Sequence, residues 1–375
     1  MSGLIKGLHH ITLCASGAQE DVDFCTKVMG QRLIKQTVLF DGRYAHYHFY
    51  YANANAEVGS VMTTFPYKRV PGRPGSGQIQ STVYAVPKGT LTFWADHLKR
   101  HDVENSGIQE RFGRKFVRYR HPSGLLFEML EDPTDTRAGW TTSEISPDVS
   151  SRGFYGIVLS VREYAEHERF LQEALGFKKT GQEGPYHQYE VNGGGPTRTV
   201  ILHHEPDRAQ GSWGFGAGTG HHMALEVESD EKLAEQKGLY EELGYTDCSE
   251  IKDRNYFHSI YCRAPGGILT ECAATAEGGF ARDEPWEELG MNLLLPPWFE
   301  HQRDEIIKML EPITVPEENM PAAARAGGRK GQAAPGLSEA AAEAARRAAE
   351  EDAKYKDVSR RTDATFVGGD QPKSQ

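Results

Sequence analysis

The stretch Leu8-His9-His10-Ile11-Thr12-Leu13 returns in the second half of the chain as Gly220-His221-His222-Met223-Ala224-Leu225-Glu226-Val227. In both, a histidine doublet opens a run whose alternating character is that of a half-buried strand. A third segment, Gly266-Gly267-Ile268-Leu269-Thr270-Glu271-Cys272-Ala273, sets a carboxylate in the middle of an apolar strand. Burying that carboxylate is costly without a partner, and a metal dication is one such partner. Two histidines and one carboxylate are the protein ligands of a non-haem Fe(II) site with open positions.

Adjacent strand residues point to opposite faces. His10 therefore shares a face with Thr12 and Cys14, and His9 shares the other with Ile11 and Leu13. His222 goes with Ala224 and Glu226, and His221 with Met223, Leu225 and Val227. The apolar face is expected beneath helices and the polar face along a cavity. His10, His222 and Glu271 are thus the expected metal ligands, with His9 and His221 as supporting neighbours. A bulge at either doublet would upset this alternation.

Outward from these strands the chain repeats strand, helix, then several strands, four times. The openings are HHITLCAS, STVYAV, GFYGIVLSV and GHHMALEV. Helical spacing follows each: near Asp21 to Gln31, in LTFWADHLKRH, near Glu163 to Leu175, and near Asp230 to Leu243. Units two and four end alike, with Gly124 and Gly267 each placed four residues before a glutamate, Glu128 or Glu271. Such self-similarity marks repeated modules of about 60 residues. Units two and three open without a ligand-type side chain, so units one and four are expected to enclose the metal. Glu128 lacks histidine partners and reads as a vestige or a salt-bridge partner. His46 and His48 share a strand face that could reach the cavity, and His203-His204 is a strand-end pair of low specificity. The aromatic-rich runs 46–51 and 255–261 suit the walls of a pocket for a flat substrate.

A Pro147-centred, Ser-rich join divides the chain into halves 1–145 and 150–312. A mostly disordered Ala/Gly/Pro-rich tail, 315–375, follows. The 375 residues carry 53 acidic against 42 basic side chains, a net charge of −11, which disfavours nucleic-acid binding. No apolar run, leader or lipidation signal points to a membrane, so a cytoplasmic protein is expected. The five cysteines, Cys14, Cys25, Cys248, Cys262 and Cys272, are odd in number and lack a CxxC spacing. They read as small buried hydrophobes in a reducing compartment.

At HHITL (9–13), VMTTFP (61–66), GHHMA (220–224), KDRNYF (252–257) and PGGILTE (265–271), the sequence resembles a known group. These are the hydroquinone ring-cleaving dioxygenases of the vicinal-oxygen-chelate superfamily. The likeness runs in order from about Leu8 to Leu310 and does not cover the tail. It implies an α+β, vicinal-oxygen-chelate fold of four βαβββ modules with the metal between modules one and four. It implies Fe(II), in preference to Mn(II), held by His10, His222 and Glu271, with O₂ as co-substrate. It places His9, Thr12, His221, Arg254 and Tyr261 around the reaction as catalytic residues. The implied substrate is a small aromatic para-diol, plain or chloro-, methyl- or methoxy-substituted, opened between C1 and C2. A homo-oligomer with no nucleic-acid or membrane partner is implied as well.

Three other readings compete. A glyoxalase-type metal lyase or isomerase would carry more carboxylate or amide ligands and need no O₂. An extradiol dioxygenase acting on catechols would differ in pocket shape. A non-catalytic binding module would lack the ligand triad.

Overall fold

The computed structural model describes residues 3–40, 42–68, 70–212 and 216–320, together with Glu343. Each repeat folds as one strand, a helix and three more strands. Module one comprises β1 (Gly7–Ala15), α1 (Ala18–Asp23), β2 (Arg32–Phe40), β3 (Ala45–Ala52) and β4 (Val61–Pro66). Module two comprises β5 (Gln78–Val86), α2 (Leu91–Arg100), β6 (Asn105–Arg111), β7 (Arg114–Arg120) and β8 (Leu126–Glu131). Module three comprises β9 (Gly153–Val161), α3 (Tyr164–Arg169), β10 (Lys178–Glu183), β11 (Tyr186–Glu190) and β12 (Thr199–His204). Module four comprises β13 (Thr219–Glu226), α4 (Asp230–Glu242), β14 (Lys252–Asp253), β15 (Phe257–Arg263) and β16 (Leu269–Thr275). The α+β fold of four βαβββ modules is therefore the one that forms.

The modules assemble crosswise into two curled eight-stranded sheets, each taking one module from each half of the sequence. One runs β14-β15-β16-β13-β1-β4-β3-β2, joining modules four and one through the antiparallel pair β1/β13. The other runs β10-β11-β12-β9-β5-β8-β7-β6, joining modules three and two through β9/β5. Helices pack against the sheets through buried residues such as Leu91, Trp94 and Leu98 of α2 and Leu233 and Tyr240 of α4. Trp94 on α2 is fully buried, and its indole N–H donates to the Val149 carbonyl at 3.0 Å, which seats the helix on the join between halves. The helices of modules one and three both widen into a π turn, at Phe24–Val28 and Phe170–Ala174, a further sign of the repeat.

Three strands escape the sequence pattern: β6, β10 and the two-residue β14. β6 and β10 are edge strands exposed along most of their length. With neither face buried, NSGIQER and KKTGQE carry no apolar alternation to read.

After β16 the chain returns over the first sheet. Leu294 N–H donates to the Gln36 carbonyl at 2.9 Å, and a parallel bridge joins Gln36 to Leu293 beside the β2 edge. Gly290, at φ 76°, packs so closely on Leu33 that a Cβ would meet its carbonyl oxygen at 2.0 Å. Beneath this segment Lys35 is fully buried, with Nζ 2.7 Å from Asp283 and 3.1 Å from Glu284. The segment continues through α5 (Arg303–Met309) to a buried Asn319, whose Oδ1 accepts from Leu33 N–H at 2.6 Å. Val315 and Met320 are buried as well, so the expected tail start at Val315 falls on packed chain. From residue 321 onward that expected tail lies outside the described residues, Glu343 aside. No helix among the described residues is long and apolar enough to cross a membrane.

Candidate metal centre

His10 on β1, His222 on β13 and Glu271 on β16 meet on the concave face of the first sheet. Strand pairing brings them there: His10 lies opposite Ala224, and Ala224 opposite Glu271. The Nε2 atoms of His10 and His222 are 3.1 Å apart, and they lie 3.2 and 2.7 Å from Glu271 Oε2. Three donors mutually cis around a dication at roughly 2.1 Å would stand about 3.0 Å apart, so this spacing fits one ion. All three side chains are buried, and Glu271 is 0% exposed. Glu271 Oε1 has no hydrogen-bonding partner, and Oε2 meets only the two imidazole nitrogens, a state a native interior avoids unless something else satisfies the charge. Burial opposes ionisation of Glu271, but the two rings beside it hold its carboxyl well below the usual range. Burial also lowers the basicity of His222 against the pull of Glu271. The site thus offers a carboxylate and, at His222, an imidazole that gives up its proton readily.

His9 and His221 depart from the alternation expected of their strands. Both doublets sit on β-bulges: the β1/β13 register slips between Leu8 and His10, leaving out His9, and again where Leu13 faces Gly220, leaving out His221. A bulge re-aims side chains, and it turns His9 and His221 toward the cavity face rather than under the helices. His9 Nδ1 lies 2.9 Å from His10 Nδ1, and its Nε2 is 3.0 Å from Thr275 Oγ1, on the same strand face as Glu271. His221 Nδ1 lies 2.5 Å from His222 Nδ1, with its ring edge-on to Phe65. In the tautomer that leaves His10 Nε2 bare, Nδ1–H donates to His9 Nδ1, and His9 Nε2–H donates on to Thr275. Burial, reinforced by His10, pushes His9 down to about 3, which keeps this acceptor neutral.

The remaining expected residues gather at the same place. Thr12 Oγ1 is 2.8 Å from both His222 Nε2 and Thr63 Oγ1. Tyr261 pairs across strands with Glu271, and Arg254 Nε donates to its hydroxyl at 3.2 Å. Burial pushes the Tyr261 phenol up, with Arg254 pulling against it and Glu271 adding to it. The pocket over the donors holds about 80 Å³ of space open to water, room for a single-ring molecule. Its walls include Tyr50, Phe65, Tyr256, Phe257, Trp298 and Phe299.

Several of these residues went unassigned in the sequence. His48 does reach the cavity, with Nε2 2.9 Å from Thr63 Oγ1 and Nδ1 3.3 Å from Tyr50 OH. Burial, reinforced by His10 and His222, drives its pKa well below 6.5. His46, two residues away, stacks instead near Tyr67 and lines a separate surface hollow. Trp298 and Phe299 come from the segment after module four, which carried no periodic signal. In the second sheet, Glu128 is held by Arg111 at 2.7 Å and Arg118 at 2.8 Å. It is a salt-bridge partner.

No family model matches the sequence. The chain is 38% identical over 316 residues to a chlorohydroquinone/hydroquinone 1,2-dioxygenase of Sphingobium indicum, covering 83% of this chain and 98% of that protein. The chain belongs to the ring-cleaving dioxygenases of the vicinal-oxygen-chelate fold. A candidate ring-cleaving dioxygenase of Bacillus subtilis, MhqO, is 36% identical over 319 residues, 84% of this chain and 99% of its own. The crystal structure of a candidate dioxygenase from Bacillus subtilis superposes with a TM-score of 0.78 at 35% identity, over 84% of this chain and 99% of that one. Glyoxalase I from Zea mays shares the fold alone, with a TM-score of 0.52 at 13% identity, over 72% of this chain and 92% of that one. As a dioxygenase of this fold the protein needs a metal, and among the described residues the His10–His222–Glu271 group offers donors deep in the aromatic pocket.

Proposed function

We propose that the protein is an Fe(II)-dependent dioxygenase that opens a para-diol between C1 and C2. The observation that carries this reading is the triad itself: two imidazoles and one carboxylate, mutually about 3 Å apart at the base of a pocket sized for one aromatic ring. The similarity to a protein named for chlorohydroquinone and hydroquinone supports the para-diol in particular. His10, His222 and Glu271 would hold the ion. When bound, it supplies open coordination positions and the electron transfer that lets ground-state O₂ react with a ring.

The chain's own residues do the rest. Glu271 brings one negative charge, and His9 and His221 fix the ring orientation of the two ligands. Arg254 stays charged, since Tyr261 and Glu271 outweigh its burial. It can therefore stabilise a substrate oxygen that has lost its proton. Tyr261, with a phenol that remains protonated, can donate a hydrogen bond or a proton at that oxygen. Tyr50, Phe65 and Phe257 confine the ring, and the half-buried Trp298 and Phe299 complete the wall.

The test is O₂ uptake by protein reconstituted anaerobically with Fe(II), Mn(II) or Zn(II), offered hydroquinone, methyl-, methoxy- and chloro-hydroquinones, and catechol. One O₂ per para-diol with the Fe(II) form, and little turnover of catechol, is the expected result. An O₂-independent, zinc-loaded activity would overturn the reading. Two substitutions separate the roles. His9→Ala should weaken metal retention about 10–100-fold, as loss of an outer partner to a ligand does, measured by competition with a chelator. Tyr261→Phe should leave metal content intact and slow kcat by about 10²-fold, with a changed pH profile.

A further inference from the structure

The five cysteines do not behave alike. Cys14, Cys25 and Cys272 are 0% exposed, and burial pushes Cys14 and Cys272 up to about 12. Such thiols are inert. Cys248 and Cys262 face each other across neighbouring strands as an isolated antiparallel bridge. Ser249 N–H donates to the Tyr261 carbonyl at 2.9 Å, and Arg263 N–H to the Asp247 carbonyl at 3.1 Å. These bonds flank the pair, which makes it the close, non-hydrogen-bonded kind with Cα atoms about 4.5 Å apart. That separation falls inside the range of about 4.4–6.8 Å that a disulfide spans.

The two thiols are also unequal. Cys262 is buried, whereas Cys248 is partly exposed, and its Sγ lies 3.2 Å from the Tyr245 carbonyl. The hydrogen bond from Cys262 lowers the Cys248 thiol, and Lys237 adds to that. An accessible, acidified thiol beside a buried partner is the arrangement of a redox-responsive pair.

We propose that Cys248 and Cys262 form a peroxide-responsive site that closes to a cross-strand disulfide. The Cys248 thiolate attacks one peroxide oxygen, the O–O bond breaks, and the products are a sulfenic acid and hydroxide. The Cys262 sulfur then attacks the sulfenic sulfur and its hydroxyl leaves as water. Two thiols and one hydrogen peroxide give one disulfide and two waters, so both sulfurs are oxidised and both peroxide oxygens reduced. The bond ties the segment around Ser249 to β15 one residue from Tyr261, whose backbone N–H donates to Ser249 Oγ at 3.0 Å. Because adjacent strand residues face opposite ways, the pair lies behind the cavity wall and away from the metal donors.

Hydrogen peroxide added to the reduced full-length protein should produce a tryptic species linking Cys248 to Cys262, which Lys252 and Arg254 place on separate peptides. Dithiothreitol should reverse it. Cys262→Ser should stop at the sulfenic acid, with dimedone labelling of Cys248 at least about tenfold above the parent. Cys248→Ser should leave Cys262 reduced. Absence of the linked peptide in the parent protein, which needs no variant to fold, would overturn the proposal. So would oxidation of Cys262 at the parental rate in Cys248→Ser.

Discussion

Glu271→Gln should give a folded protein that no longer retains its dication and turns over para-diols on the order of 10³-fold more slowly. Glu271 is the anionic donor of the triad, and its replacement keeps the volume while removing the charge. His10 and His222 remain 3.1 Å apart, but two neutral imidazoles bind a hard dication poorly without a carboxylate. In metal-free parent protein the buried Glu271 carboxylate rests against two imidazoles, with Oε2 2.7 Å from His222 Nε2 and 3.2 Å from His10 Nε2. Removing that charge gives up the pull of the two rings, so the metal-free variant should be no more stable than the metal-free parent. Metal analysis, O₂ uptake and thermal unfolding of chelated samples check all three parts. Full metal retention by the variant would remove Glu271 from the ligand set, and a metal-free variant more stable than the metal-free parent would show that the two rings do not compensate the buried charge.

The meeting of His10, His222 and Glu271 was legible because the two doublets repeat within repeated modules and Glu271 interrupts an apolar strand. Its surroundings were less so. Alternation placed His9 and His221 on the wrong face, since a bulge depends on the partner strand's register and leaves no mark in a single strand's pattern. His10 and His222 survived that error because they are flanked by Thr12 and Ala224, which do alternate correctly. β6 and β10 went unseen because exposed edges impose no periodicity. The Trp298–Phe299 wall and the Lys35–Asp283–Glu284 cluster depend on contacts between segments some 250 residues apart, which spacing cannot reveal. The crosswise pairing of modules one with four, by contrast, followed from where the histidines were and were not.

Glu128 and Glu271 occupy the same place in modules two and four, and their replacement should have opposite consequences. Val83 lies beside Glu128 as Ala224 lies beside Glu271. Where Glu271 faces histidines, Glu128 faces Arg111 and Arg118, and Ser81 Oγ donates to it at 2.9 Å. Glu128 is fully buried and Arg111 is 5% exposed, so Glu128→Ala strands a guanidinium in the interior. Removing one member of a buried pair costs about 3–5 kcal/mol. Arg118 can relax toward solvent, so Arg111 dominates that cost. Burial works against the Glu128 charge, but the two arginines win and hold its carboxyl below 4.5. A depressed carboxyl stabilises above its unfolded pKa and loses that contribution as pH falls through its folded value. The gap between parent and Glu128→Ala in urea unfolding should therefore be full at pH 7 and shrink below about pH 4. Metal content and turnover should stay at parental levels, because this ion pair belongs to the other sheet. A Glu128→Ala protein of parental stability, or one that loses its metal, would mean that module two takes part in the site.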